Sequence, residues 1–323
     1  MNQSQATDMT KAQVAVTRCI NYRPSEITQA IETQFSLLGG LDKFISRGDS
    51  VLLKPNFIAP RPQSEAVQTD PAVMLAVAQI VKDFGAKPFI ADSPAWKNVF
   101  ACTNILGLDE PLRKLGVPVK QLNRPKRCRI AGSSVGISTV ALEADRIINL
   151  PKLKAHQQLG ATFAVKNMFG CVCGKEKPFW HFAKGGSCED FCRLLIEIYK
   201  LLAPAVTIID GVCAMEGPGP IRGRVRPLGL LIGGTNPVAC EMVCCEAVGF
   251  KSDDLPIIKT ARQIGFGCSD MSRIDVVGDG YADFVCADFE PAQQIPIRFS
   301  FAHVCKSVAK QLVFIAKSIV EKS

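Results

Sequence analysis

No stretch of the chain reaches 18 consecutive uncharged apolar residues, so no membrane-spanning helix is expected. The first residues lack the basic segment, apolar run and small-residue cleavage site of a secretory signal, and the expectation is a cytoplasmic protein. Aromatic residues are scarce, at 7%, and the basic residues are dispersed apart from Arg124, Lys126, Arg127 and Arg129. A nucleic-acid binder would show a denser basic stripe interleaved with aromatics, so no nucleic-acid partner is expected. Also missing are a P-loop, a dinucleotide fingerprint and the closely spaced cysteine run of a ferredoxin cluster. The Gly132-Ser133-Ser134 cluster with Gly136 lies between two apparent strands and reads as a hairpin turn rather than a phosphate cradle.

What is present is ordinary globular material: 323 residues, 47% apolar and 21% charged, enough chain for a large core. The net charge of +8 is compatible with an anionic small-molecule partner without demanding one. Fourteen cysteines in a chain without an export signal read as reduced thiols, metal ligands or cluster ligands rather than disulfides. Residues 1–11 are polar and uncapped and are expected to be a disordered tail.

Strand and helix signals alternate from residue 12. A strand over 12–18 is followed by a helix over 25–38 that Gly39-Gly40 stops. The apolar run 50–53 ends in Lys54-Pro55-Asn56. Thr69 or Asp70 caps a helix with Pro71 in its first turn, and strand 87–91 delivers Asp92-Ser93. A mixed helical region over 96–115, a short strand at 117–121 and a basic turn at 123–129 follow. Later strands are expected at 147–150, 205–210, 225–233 and 273–277, with helices over 187–202, 236–248 and 256–264. The pattern predicts an α/β fold with a mainly parallel sheet layered with helices, one domain over 12–295, with a lobe boundary near 145 as an alternative. Beyond 296 the apolar stripe Val308, Leu312, Ile315 and Ile319, flanked by lysines, predicts a C-terminal amphipathic helix. Such a helix more often closes its own domain than contacts a membrane surface or partner.

Polar clusters terminate successive apolar strands, and in open α/β sheets ligands bind at that edge. The richest is residues 145–170, read as a strand, a loop and a helix holding Lys152, Lys154, His156, Thr162, Lys166 and Asn167. With Lys54, Asn56, Asp92 and Ser93 they form a candidate pocket for an anionic small molecule or cofactor; the alternative is a solvated lysine-rich connection. Asp210 is expected to end its strand and Glu216 to follow in one Gly/Pro loop. Two carboxylates so placed could hold a divalent cation or share acid and base roles with His156 and Lys154, while the structural alternative is a turn cap and a solvated acid. Cys171, Cys173 and His181 are the best metal candidates, although Cys-x-Cys is a poor zinc spacing. An iron–sulfur cluster or a divalent metal is the cofactor such residues would take.

The segments VLLKPN (51–56), TDPAV (69–73), GAKPFIADSP (85–94), INLPKLKAH (148–156), GATFAVKNMFG (160–170), KPFWH (177–181), TIIDGVCAMEGPGP (207–220) and TNPVACE (235–241) occur in one order. Together they resemble the uncharacterised family known as domain of unknown function 362. The resemblance implies an α/β protein and, through family members joined to ferredoxin modules, a link to redox or iron–sulfur metabolism. Residues 296–323 carry a single cysteine, Cys305, where such a module would bring cluster ligands, so redox activity would call on a separate ferredoxin-type partner or on the scattered cysteines.

Overall fold

The computed structural model describes residues 11–174 and 176–297. The expected N-terminal tail, apart from Lys11, and the expected C-terminal helix beyond Ile297 lie outside them. The chain runs β1 (Ala12–Arg18), α1 (Pro24–Leu37), β2 (Ser50–Pro55), α2 (Pro71–Asp83), β3 (Lys87–Asp92), α3 (Val99–Ile105), α4 (Asp109–Leu115) and β4 (Val119–Gln121). It continues through β5 (Pro125–Ile130), β6 (Ser133–Ser138), α5 (Thr139–Leu142), β7 (Arg146–Leu150), β8 (Lys152–His156), β9 (Gly160–Thr162) and α6 (Ala164–Asn167). Then come α7 (Glu176–Ala183), α8 (Cys188–Leu202), β10 (Val206–Glu216), β11 (Arg224–Gly234), α9 (Pro237–Val248), α10 (Pro256–Gln263) and β12 (Ile274–Gly278).

Ten strands form one sheet in the order β12-β1-β11-β10-β7-β2-β3-β4, with β8 added to β10 and β9 to β8. Along that path only β11 runs against its neighbours, so the sheet is mainly parallel. Strands from before and after residue 145 share it. The central strands are apolar on both faces: Val51, Leu52 and Leu53 are fully buried, as are Ile208 and Ile209. Helices α1 and α2 cover one face; α8 and α9 belong to the apolar clusters on the other side. Caps hold the helices in place. Asp70 accepts from Ala72 N at the start of α2, Ser187 from Asp190 N at α8, and Asn236 from Ala239 N at α9.

Strand order reverses between β2 and β7. From β2 the chain winds outward through β3 to β4, then returns to place β7 on the other side of β2 and β10 beyond it. Loops leaving β2 and β7 therefore diverge, opening a crevice outside their carboxyl ends. The predicted hairpin at 132–134 is present as β5–β6, paired from Pro125↔Ser138 to Ile130↔Ser133. The basic segment read as a turn is strand β5 itself.

Two local expectations are overturned. The segment after Pro151 is not a loop and long helix: β8 pairs with β9, Lys154 opposite Thr162, before the four-residue α6. Nor does the strand at 206 end at Asp210. Strand β10 runs on to Glu216, with a bulge between Gly211 and Cys213.

Candidate functional site

Two strand ends meet at the crevice. Lys54 ends β2 and Asp92 ends β3, and their side chains, each about 1% exposed, pair at 2.9 Å. Lys54 Nζ also donates to the Pro55 carbonyl at 2.7 Å. Asp92 Oδ2 accepts from Phe57 N at 2.9 Å and Oδ1 from Ser93 N at 2.6 Å. Gly170 packs against this pair so closely that an added Cβ would lie 2.5 Å from Lys54 Nζ and 2.6 Å from Asp92 Oδ1.

A second network spans β8, β10 and the loop after β1. Lys152 Nζ donates to Asp210 Oδ2 and to Tyr22 Oη, both at 2.8 Å. The Tyr22 hydroxyl donates to Asp210 Oδ1 at 2.8 Å and accepts from Cys213 N at 3.0 Å. Asp210 further accepts from Asp70 N at 2.9 Å and Val212 N at 3.3 Å. Burial and the Asp210 charge keep the Tyr22 phenol protonated. Burial, then Asp210, pushes the Asp70 carboxyl up to about 6. With every lone pair engaged, Asp210 is a fixed anchor for Lys152 and Tyr22 rather than a free base.

Asparagines tie the strands together beneath. Asn167 donates to Lys54 O at 3.1 Å and Asn149 Oδ1 at 2.8 Å, and accepts from Asn56 Nδ2 at 2.9 Å. Asn149 donates to Ala164 O and Thr207 Oγ1.

Against these satisfied networks stand three lysines with no ion pair among the described residues: Lys154, Lys166 and Lys177. Lys154, 1% exposed, donates only to the Val67 carbonyl at 2.7 Å. Burial drives its pKa well below the usual amine value, and Lys166 and Lys152 add to the effect. Lys166, half-buried on α6, is lowered to about 8 by burial and then by Lys177. Lys177, on α7, donates to the Ser93 carbonyl and is also lowered to about 8, burial being the main cause. The Thr162 hydroxyl, opposite Lys154, is buried without a partner, and Asn56 Oδ1 is likewise unsatisfied.

His156 shares one face of β8 with Lys152 and Lys154 because side chains two apart on a strand point the same way. Its Nδ1 accepts from Gln158 N at 3.0 Å, and burial with the nearby Lys166 and Lys154 holds the ring neutral. The proton of that neutral ring must then sit on Nε2, making it a donor. Ser93 leads outward to a cavity of about 310 Å³ lined by Gln121, Asn123, Arg124, Cys173 and Gly174. Its hydroxyl accepts from Gly174 N at 3.3 Å.

Several expected site residues do not join. Glu216 is held by Arg224 at 3.4 Å and by Glu290 N at 3.1 Å, away from Asp210. The two acids lie six residues apart along β10, one held by Lys152 and Tyr22 and the other by Arg224, so they do not form one cation site. Among the described residues no three His, Cys, Asp or Glu side chains gather as a metal site. Cys171, Cys173 and His181 thus do not form the expected ligand set for a divalent metal or a cluster. The Cys171 thiol is fully buried and pushed up to about 12. Cys173 is raised too, chiefly by burial. His181 lies against Phe169 and Phe191, ring centroids 5.7 and 4.6 Å away, and burial lowers its pKa to about 3. Conversely Tyr22, Asp70, Asn149 and Lys177 join these networks although the sequence pattern assigns them no site role. Asn149 and Lys177 lie inside family segments, whereas Tyr22 sits in a loop with no motif.

The lactate racemase apoprotein of Thermoanaerobacterium thermosaccharolyticum superposes with a TM-score of 0.48 at 11% identity over 75% of this chain. A structural-genomics protein of Thermotoga maritima does so with 0.42 at 12% over 71%. The chain spans 59% of each of those proteins. A thylakoid-associated protein of Synechocystis sp. is 36% identical over 255 residues, 78% of this chain and 79% of its own. Among the described residues no helix is long and apolar enough to cross a membrane. The model of the family described as domain of unknown function (DUF362) matches residues 51–246, which hold Lys54, Asp92, the β8 lysines and Asp210. The chain belongs to the DUF362 family.

Proposed function

We propose that the protein binds an anionic small molecule or anionic cofactor in the crevice outside β2 and β7. The observation that carries this reading is Lys154: a fully buried amine whose only partner among the described residues is a neutral carbonyl, beside a Thr162 hydroxyl that has none among them. An uncompensated cation in the interior is costly, and a bound oxyanion would remove the cost. Lys154, Lys166, Lys177, the His156 Nε2–H and the Thr162 hydroxyl form a donor set with too few acceptors, the complement of a carboxylate or phosphate. The Lys54–Asp92 pair and the Lys152–Asp210–Tyr22 network are the rigid frame around them. Any proton transfer falls to the lysines lowered to about 8, which exchange protons near neutral pH. The redox link implied by the family resemblance finds no ligand set among the described residues, and a separate iron–sulfur partner is the form it would take. Thirteen free thiols among the described residues favour a reducing compartment such as the cytoplasm.

The test is thermal unfolding of the wild-type protein and Lys154→Met with phosphate, pyrophosphate and small carboxylates. Wild type should gain about 2.7 kcal/mol of stability at a hundredfold excess over Kd. Lys154→Met should be as stable as wild type or more so without anion, and show no anion-dependent shift. Equal shifts in both proteins, or none in wild type with any anion, would sink the reading.

A further inference from the structure

The structure assigns a peroxide-reactive thiol pair to the first turn of α8, with Cys188 as the nucleophile and Cys192 as the resolving thiol. Cys188 is the first residue of the 15-residue helix and is exposed; Cys192 lies one turn on and is fully buried. Residues four apart share a helix face, so the two sulfurs are neighbours with one in water and one behind it. The Cys192 thiol stabilises the Cys188 thiolate and the Lys259 ammonium of α10 adds to this, holding Cys188 down to about 7 against burial. The same interaction, together with burial, keeps the Cys192 proton in place. Orphan N–H groups at the start of α8 favour the anion as well. An accessible thiolate backed by a protonated thiol is the arrangement that peroxides oxidise selectively.

The chemistry balances with one hydroperoxide. The Cys188 thiolate attacks the peroxide, an S–O bond forms, the O–O bond breaks, and hydroxide leaves to become water. Cys192 then loses its proton and attacks the Cys188 sulfur; the S–S bond forms, the S–O bond breaks, and a second water departs. Two thiols are oxidised and one peroxide is reduced.

Closing the bridge moves the helix end. Cβ atoms four apart on a helix are about 5–6 Å from each other, whereas a disulfide needs about 3.5–4.5 Å. The first turn must therefore yield. Gly185-Gly186 precede it, and the turn is capped by Ser187, whose hydroxyl accepts from Asp190 N at 3.2 Å. A bridge made at that cost is readily reduced, so the oxidation is reversible by a dithiol. Phe191 lies between the two cysteines in sequence and packs edge-on against Phe169 and at a tilt against His181, so the change is felt at the segment that follows α6.

The experiment treats full-length protein with equimolar hydrogen peroxide, blocks free thiols with N-ethylmaleimide under denaturing conditions, and maps tryptic peptides. The peptide 185–193 holds both cysteines and should appear about 2 Da lighter and unlabelled, reverting on addition of dithiothreitol. In Cys192→Ser, Cys188 should stop at the sulfenic acid and take up dimedone; in Cys188→Ser, Cys192 should stay reduced. The wild-type reaction rate should rise with pH through an inflection near 7. A doubly labelled 185–193 peptide after peroxide, or a wild-type Cys188 that accumulates as sulfenic acid without a bridge, would overturn the assignment.

Discussion

Lys154, Lys166 and Lys177 give the site a distinctive acid–base behaviour at the residue scale. Their ammonium forms are disfavoured in the free protein: Lys166 and Lys177 titrate at about 8, and burial lowers Lys154 well below its ordinary value. Anion binding needs the charged forms, so affinity should be full below pH 8 and fall as pH rises through that value. Stability of the free protein moves the other way. Between about 8 and the unfolded amine value of 10.5 the unfolded chain holds more of these protons, so these lysines make the folded state gain stability as pH increases. Titration calorimetry from pH 6 to 10, beside thermal melts of the free protein, checks both trends; affinity that is flat or rising above pH 8 would contradict the assigned role. Asp210 is a different kind of group. Its oxygens serve Lys152, Tyr22, Asp70 N and Val212 N, so Asp210→Asn should disorder the frame and cost about 3–5 kcal/mol, as breaking a buried pair does. Chemical denaturation measures it.

At the scale of elements, the strand–helix rhythm of the first half was legible because each buried strand is an apolar run stopped by Pro, Gly or a helix cap. Lys54 and Asp92 were placed for the same reason. Strand β8 was hidden, since Lys152, Lys154 and His156 alternate with Leu153 and Ala155 yet both faces are buried, and Pro151 mimics a break. Asp210-Gly211, ordinarily a turn signal, masks the extent of β10. Here Lys152 and Tyr22 compensate the Asp210 charge, and the missing side chain of Gly211 lets the strand pass Leu230, whose side chain would lie 3.0 Å from a Cβ. Tyr22 gave no sign because its role depends on β1 neighbouring β11, a long-range pairing that no local pattern encodes. The 3-10 turn after α6 carries a sharp test. Gly170→Ala keeps an allowed backbone but forces a methyl into the Lys54–Asp92 pair, which should destabilise the protein by about 1–3 kcal/mol and weaken anion binding. A fully stable, fully binding Gly170→Ala variant would show that the pair is not the tight frame described.

For the whole molecule, one buried acid stands apart from the site. Glu241 on α9 accepts from Val165 N at 2.8 Å, and burial pushes its carboxyl up to about 8. The folded state keeps a proton that the unfolded chain has released above the ordinary value of 4.5, so this group erodes global stability as pH rises from 4.5 to 8. Glu241→Gln should match wild type near pH 4.5 and be more stable at pH 9, as calorimetric scans would register. The order of synthesis sets another whole-chain condition. Strand β1 precedes the other described strands in the chain, but both strands that flank it, β11 and β12, come much later. At translation speeds of about 5–20 residues per second, the wait for β11, about 200 residues later, lasts roughly 10–40 s. Throughout that interval β1 has two open hydrogen-bonding edges and buried-type residues such as Val14 and Val16 uncovered. The Tyr22 arm of the site thus closes only after β11, at Arg224–Gly234, has been made.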